Sequence, residues 1–261
     1  MMTSVPMELV CDTSVANAYK SAPQRARVVS EGWFAQNSYC LACDADRLYR
    51  TPSNTAATDF TCNGCGQRYE LKTFLKRPGR SLVDGAYLSL LGRIQAGTAP
   101  TLCLLERSDC WRIRSLTAIH SSFLTPWVIE QRRPLSQVAR RAGWVGCNIR
   151  LDRIPPDGEI NVIGAGVACP KAEVRNKFQR FLPLASLPVG QRGWTTLTLS
   201  VIRKLGRPQF SLGDLYLREE EFSAFYPSNR HVRAKIRQQL QNLRDLGMLS
   251  FEGRGEYRLS V

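Results

Sequence analysis

The sequence predicts an α/β protein in two parts. The first is a mixed sheet with helices and a four-cysteine zinc ribbon, and the second is a winged helix. Three observations predict this. Helical and strand-like segments alternate as far as Ile163, which calls for a mixed α/β layer rather than an all-β ribbon protein. Two Cys-x-x-Cys pairs, Cys40 with Cys43 and Cys62 with Cys65, stand eighteen residues apart, the spacing of a zinc ribbon. Residues 191–261 carry three helical stretches and then a hairpin.

The chain has 261 residues, enough for two domains, and its 43% hydrophobic content is ordinary for a soluble protein. Lys and Arg number 36 against 22 Asp and Glu, a formal net charge of +14. A balance this basic favours a polyanionic partner, most simply nucleic acid. No apolar run is long enough to span a bilayer, and no basic amphipathic helix sits at either end, so no membrane partner is expected. Met1 to Ser14 contains Glu8 and Asp12 and does not resemble a secretory signal. A cytoplasmic location is therefore expected, in which the nine cysteines are reduced or metal-bound rather than disulfide-paired. The chain is expected to act as a monomer.

Residues 13–38 are predicted helical, with Pro23 interrupting the pattern to give two helices or a kinked one. Glu31 is taken as an exposed helix carboxylate that could reach Asp59. The two cysteine knuckles follow. Four thiolates close a tetrahedron and leave no open position, so zinc held by Cys40, Cys43, Cys62 and Cys65 is structural.

The stretch from Asp59 to Lys72 holds the candidate chemistry. From Gln67 to Lys72 the residues alternate, so Glu70 and Lys72 share one strand face, and Tyr69 and Leu71 share the other. Cys62-Asn63-Gly64-Cys65-Gly66 is turn chemistry, and a reversal there brings Asp59 back beside Glu70. Two carboxylates can hold a divalent metal, and a lysine beside them can orient a water and offset charge on a phosphate. The second zinc knuckle is then the turn between the two carboxylates. A bare Glu-x-Lys is common, so the surroundings carry the reading.

The basic turn Lys76-Arg77-Pro78-Gly79-Arg80 suits a phosphate contact. A helix is expected from Val83 to Ala96, and strands at Thr101–Leu105, Trp111–Ser115, Pro126–Glu130 and Ile160–Ile163, the last closing the first domain. Residues 132–148 place Arg140 and Arg141 beside glycines, Trp144 and Asn148, a composition for DNA contact. Phe181 to Gly190 is irregular, and a linker is placed at 184–190. Beyond it, helices are expected at Thr195–Leu205, from Ser211 to Asp214 onward, and at Arg230–Leu246, with Ser228 and Asn229 ahead of the third and Gly247 ending it. The third carries Arg230, His231, Arg233, Lys235, Arg237 and Gln238, as a recognition helix would, and Arg254 sits at the tip of the wing.

With these pieces in place the chain resembles the DpnI-like, Dam-replacing family of restriction endonucleases. The resemblance rests on Tyr39-Cys-x-x-Cys43, Asp59-Phe-x-Cys-Asn-x-Cys65, Tyr69-Glu-Leu-Lys72, Asp84-Gly-Ala-Tyr87, the block from Ala139 to Asn148, Arg192-Gly-Trp194, Lys235 to Leu240 and Gly253-Arg-Gly-x-Tyr257. It implies a PD-(D/E)xK nuclease domain with a zinc ribbon over 1–183 and a winged helix over 191–261. It also implies Asp59 and Glu70 as Mg²⁺ ligands, Lys72 as the catalytic lysine, and Mg²⁺-dependent type II cleavage of double-stranded DNA at GATC carrying N6-methyladenine. Thr58 stands where the general nuclease motif has proline. The alternative is a zinc-ribbon, winged-helix transcription regulator without nuclease activity. Such a protein has no reason to gather Asp59, Glu70 and Lys72 around a metal knuckle.

Overall fold

The computed structural model describes residues 7–52, 55 and 58–260. In chain order it forms α1 (Ala22–Asn37), β1 (Tyr49–Arg50), β2 (Phe60–Thr61), β3 (Arg68–Phe74), β4 (Ser81–Ala86), α2 (Tyr87–Gln95), β5 (Thr101–Arg107), β6 (Ile113–Ile119), β7 (Ile129–Gln131), β8 (Gly146–Arg150), β9 (Glu159–Gly164) and β10 (Val167–Ala168). Then come α3 (Lys171–Gln179), α4 (Leu182–Ala185), α5 (Val189–Lys204), β11 (Gln209–Ser211), α6 (Leu212–Tyr216), α7 (Glu219–Phe225), α8 (Val232–Asp245), β12 (Leu249–Gly253) and β13 (Glu256–Leu259). Contacts group the chain into two units. One comprises Met1–Gly79, Thr98–Ser121 and Glu159–Phe181, and the other Arg80–Gly97, Ser122–Gly158 and Leu182–Val261.

The first unit is built on a seven-stranded sheet of order β1-β2-β3-β5-β6-β9-β10. Only β3 and β5 run parallel; the other pairs are antiparallel. Helix α1 buries Val29, Trp33 and Phe34, spaced so that they lie on one face, and α3 buries Val174 and Phe178. These side chains join Phe60, Tyr69, Leu105, Ile113 and Ile163 in one core. The Phe34 and Phe60 rings pack tilted at 49° with centroids 4.8 Å apart, which fixes the chain next to Asp59.

In the second unit β4-β8-β7 form one small sheet and β11-β13-β12 another. Its central element is α5, buried on every side from Arg192 to Ile202. Around α5 the polar groups are matched: Trp127 Nε1 donates to Thr196 Oγ1 at 3.0 Å, and Thr195 Oγ1 donates to the buried Gln239 Oε1 at 2.8 Å. Helices α5 to α8 with the β12–β13 hairpin make the helix-turn-helix with its wing. On α8 the buried residues Val232, Ile236, Leu240 and Leu243 form one stripe and leave the basic residues outside.

Several boundaries differ from the sequence expectation. Pro23 does not interrupt a helix: it sits in the first turn of α1, where its missing N–H costs nothing, and Ser21 caps the helix by accepting from Gln24 N. The helix expected from Val83 begins only at Tyr87, because Ser81 to Ala86 pair with β8 as a strand. Strand β6 starts at Ile113, since Trp111 occupies a left-handed turn with φ 61°. Pro126–Val128 is a 3₁₀ turn ahead of β7. Strand β9 is followed by a further short strand, β10, paired back on it. Helix α5 begins six residues before Thr195, and α7 forms an additional helix ahead of α8. Gly247, at φ 68°, ends α8 as expected.

Candidate functional site

Strand β2 is two residues long and pairs antiparallel with β3, Phe60 opposite Tyr69 and Thr61 opposite Arg68. The turn between them is closed by Cys62 N–H to Gln67 O at 2.9 Å and Gly66 N–H to Cys62 O at 2.8 Å, with Gly66 at φ 74°. Extending that register by one step sets Asp59 across from Glu70, and the bond from Asp59 N–H to Tyr69 O at 2.9 Å fixes it. The Asp59 carboxylate accepts from Leu71 N–H at 2.8 Å. Glu70, 7% exposed, meets the Lys72 ammonium at 2.7 Å. Asp59, Glu70 and Lys72 are thus brought to one place, with the knuckle as the turn between them.

Burial raises the Asp59 pKa above the usual carboxylate value. The Leu71 amide opposes this rise, and the negative charge of Glu31 adds to it. Glu31 is not the exposed helix carboxylate expected from sequence. Its side chain is 18% exposed, pairs with Arg27 at 2.7 Å, and lines with Asp59, Arg50 and Thr51 a cleft of about 260 Å³. The only local signal was the i, i+4 spacing of Arg27 and Glu31 on α1. Two carboxylates set side by side, one of them desolvated, offer hard oxygen ligands that could hold a divalent cation.

The four cysteine sulfurs lie within 4.8 Å of one another, the only cluster of its kind among the described residues. Cys40 Sγ is 3.5 Å from Cys65 Sγ, and Cys43 Sγ is 3.6 Å from Cys62 Sγ. A tetrahedron with zinc–sulfur bonds of 2.3 Å has edges of about 3.8 Å, so the set fits Zn²⁺. Burial opposes ionisation of Cys62, yet the amides of Cys65 and Gly64 facing its sulfur lower its thiol to about 7. Arg175 braces the first knuckle from α3, donating to Cys40 O and Ala45 O, both at 3.1 Å. Nothing in the sequence around Arg175 marked it for this.

The residues singled out for DNA contact fall in the second unit. Arg140 and Arg141 are exposed on the loop between β7 and β8. Trp144 is half-buried, with the Arg141 guanidinium 4.8 Å from its ring centroid. Its ring covers Gly146, where an added Cβ would stand 2.8 Å from two ring carbons. Asn148 is half-buried on β8, paired with Val83 and Glu130. Ser228, Asn229, Arg230, His231, Lys235 and Gln238 line one cleft of about 620 Å³. Arg233 is engaged by Glu219 at 2.8 Å and by the Tyr216 ring, and Arg237 donates to Tyr216 Oη at 2.7 Å. Arg254 is exposed at the hairpin turn. In the basic turn after β3, Arg77 pairs with Glu159 at 2.7 Å and Arg80 with Asp152 at 3.2 Å, so both cations already have acidic partners. No helix among the described residues is long and apolar enough to cross a membrane.

A sign follows from the raised Asp59 pKa. The folded, metal-free protein holds that proton more tightly than the unfolded chain does. Stability is therefore fully present below the unfolded value and is lost as pH rises through the raised folded one. In metal-free protein, Asp59→Asn is expected to raise the thermal midpoint at neutral pH, with the gain disappearing below about pH 4. Added Mg²⁺ should stabilise wild type and not the variant. Calorimetry across pH checks this, and an Asp59→Asn protein destabilised equally at both pH values contradicts it.

Two family models match the chain. The one for the Dam-replacing family covers residues 7–186, and the one for the Dam-replacing HTH domain covers 190–259.

Proposed function

The chain belongs to the Dam-replacing family of restriction endonucleases, whose members are methylation-dependent nucleases, and from that premise we propose its specific activity. It is a type II enzyme with a PD-(D/E)xK core that cleaves double-stranded DNA at GATC containing N6-methyladenine, with Mg²⁺ as catalytic metal. The observation that carries the reading is the register setting Asp59 across from Glu70, with Lys72 at 2.7 Å from the Glu70 carboxylate. A DNA-binding regulator needs no such triad, and a nuclease family leaves that alternative without support.

Asp59 and Glu70 would hold the ion, and Mg²⁺ bound there supplies Lewis-acid stabilisation of charge growing on the scissile phosphate. Lys72 stands 2.7 Å from the Glu70 carboxylate, beside the place where the ion would be held. From there its ammonium would orient the attacking water and face the developing negative charge. The Leu71 amide keeps the Asp59 carboxylate aimed while this happens. Glu31 raises the negative field at Asp59 and so adds to the attraction for a cation. The four cysteines hold Zn²⁺ and take no part in the chemistry.

Sequence reading is assigned to two places. Adenine N6 lies in the major groove, where a methyl adds an apolar contact of about 1 kcal/mol. One contact discriminates weakly, so two readers are needed for a sharp preference. Trp144 with Arg141 over its ring, together with Arg140 on the same loop and Asn148 on β8, is one. The α8 face with its cleft, together with Arg254 on the wing, is the other, and salt-dependent phosphate contacts from its arginines and lysine supply affinity.

The deciding experiment is digestion of one plasmid, grown with and without adenine methylation at GATC, in the presence of Mg²⁺. Only the methylated form should be cut, and Glu70→Ala should lower the rate on the order of a thousandfold or more while DNA binding survives. Equal cutting of both plasmids sinks the methyl-directed reading, and a fully active Glu70→Ala sinks the site.

Gly146→Ala gives a separate test of the Trp144 reader. The new Cβ must displace the ring, so the ratio of rates on methylated and unmethylated duplexes should fall, as it should for Trp144→Ala. An unchanged ratio in both variants removes Trp144 from the reading surface.

A further inference from the structure

Strand β3 sends Glu70 and Lys72 to one face and Tyr69 to the other. Tyr69 is fully buried. Its hydroxyl lies 2.9 Å from Leu41 N and 3.3 Å from Cys40 Sγ. These two contacts have only one consistent polarity. A backbone N–H can only donate, so the Leu41 amide occupies a lone pair of the hydroxyl. The phenolic proton is left for the sulfur. A zinc-bound cysteine is a thiolate, which only accepts. The chain of bonds therefore runs from Leu41 N–H to the Tyr69 hydroxyl, and from the hydroxyl to Cys40 Sγ.

We infer that Tyr69 is a positioning residue: its hydroxyl donates to the Cys40 thiolate and ties the first zinc knuckle to the strand that carries Glu70 and Lys72. The inference rests on the zinc and nuclease readings above. A hydrogen bond to a metal-bound thiolate withdraws electron density from sulfur and holds the ligand in its orientation. Here the donor is the residue next to Glu70, so the bond that tunes the metal also sets where the carboxylate stands. Tyr39 provides the contrast. It precedes Cys40, is buried, and packs its ring against Lys171 and Arg175, but its hydroxyl has no hydrogen-bond partner among the described residues.

The test uses the full chain with cobalt in place of zinc, and the variants Tyr69→Phe and Tyr39→Phe. Loss of the donor leaves the Cys40 sulfur more electron-rich, so the sulfur-to-cobalt charge-transfer band of Tyr69→Phe should move to lower energy. In the zinc form, a chromophoric chelator should extract metal from Tyr69→Phe about tenfold faster than from wild type. Cleavage by Tyr69→Phe should lose kcat with KM unchanged. Tyr39→Phe should match wild type in all three. A cobalt-loaded Tyr69→Phe with an unmoved band and wild-type extraction overturns the role of Tyr69, as does a Tyr39→Phe that shifts equally. A wild-type chain that takes up no cobalt overturns the zinc reading itself. Should Tyr69→Phe fail to fold, global 3-fluorotyrosine incorporation offers a stronger hydroxyl donor in the native sequence. The band should then move to higher energy, and an unmoved band overturns the inference.

Discussion

The antiparallel register between Phe60 and Tyr69 is the constraint on which the candidate active site depends. It decides that Asp59 faces Glu70, that the Asp59 carboxylate reaches the Leu71 amide, and that Tyr69 turns toward the cysteines. A strand of two residues cannot hold its own register in water. The knuckle after it supplies what the strand lacks, a turn closed by two backbone bonds and by sulfurs set at tetrahedral spacing. Structural zinc can contribute on the order of 10 kcal/mol of apparent folding free energy, more than a short ladder offers. The chain thus places the four-cysteine cluster where it governs the position of Asp59 across from Glu70.

Charge is distributed to match. In the first unit several cations have internal partners: Arg77 is held by Glu159, Arg27 by Glu31, and Arg175 by carbonyls of the first knuckle. In the second unit Arg140, Arg141, Arg230 and Arg254 stand exposed, and α8 keeps its apolar stripe inward. The net charge of +14 is therefore not spread evenly over function. Some of it builds the fold, and the exposed share is available to a polyanion.

Much of this was legible in the sequence because it is written locally. Alternation put Glu70 and Lys72 on one face, the Cys-x-x-Cys spacing marked the cluster, and the turn residues between Cys62 and Cys65 implied the reversal. The gathering of Asp59, Glu70 and Lys72 follows from these three alone. What stayed hidden depends on distant partners. Arg175 braces Cys40 across 135 residues of chain, and no local pattern records that bond. Ser81 to Ala86 carry apolar residues that fit a helix as well as a strand until β8 pairs with them. Pro23 reads as a breaker in the sequence because helix-start and helix-break signals share the same residue. Only the Ser21 cap tells them apart. Glu31 looked solvated because nothing local shows that the cleft beside Asp59 closes over it.

The four-cysteine knuckle holds Asp59 against β3. The measurement that tests this most directly is amide hydrogen exchange at Leu71, read in zinc-loaded protein and after zinc removal by a chelator. The Leu71 N–H donates to the Asp59 carboxylate, so its protection reports the carboxylate in place. The account predicts that zinc removal abolishes protection at Leu71 while Leu105, on β5 in the same sheet, stays protected. Leu71 still protected in zinc-free protein would contradict it.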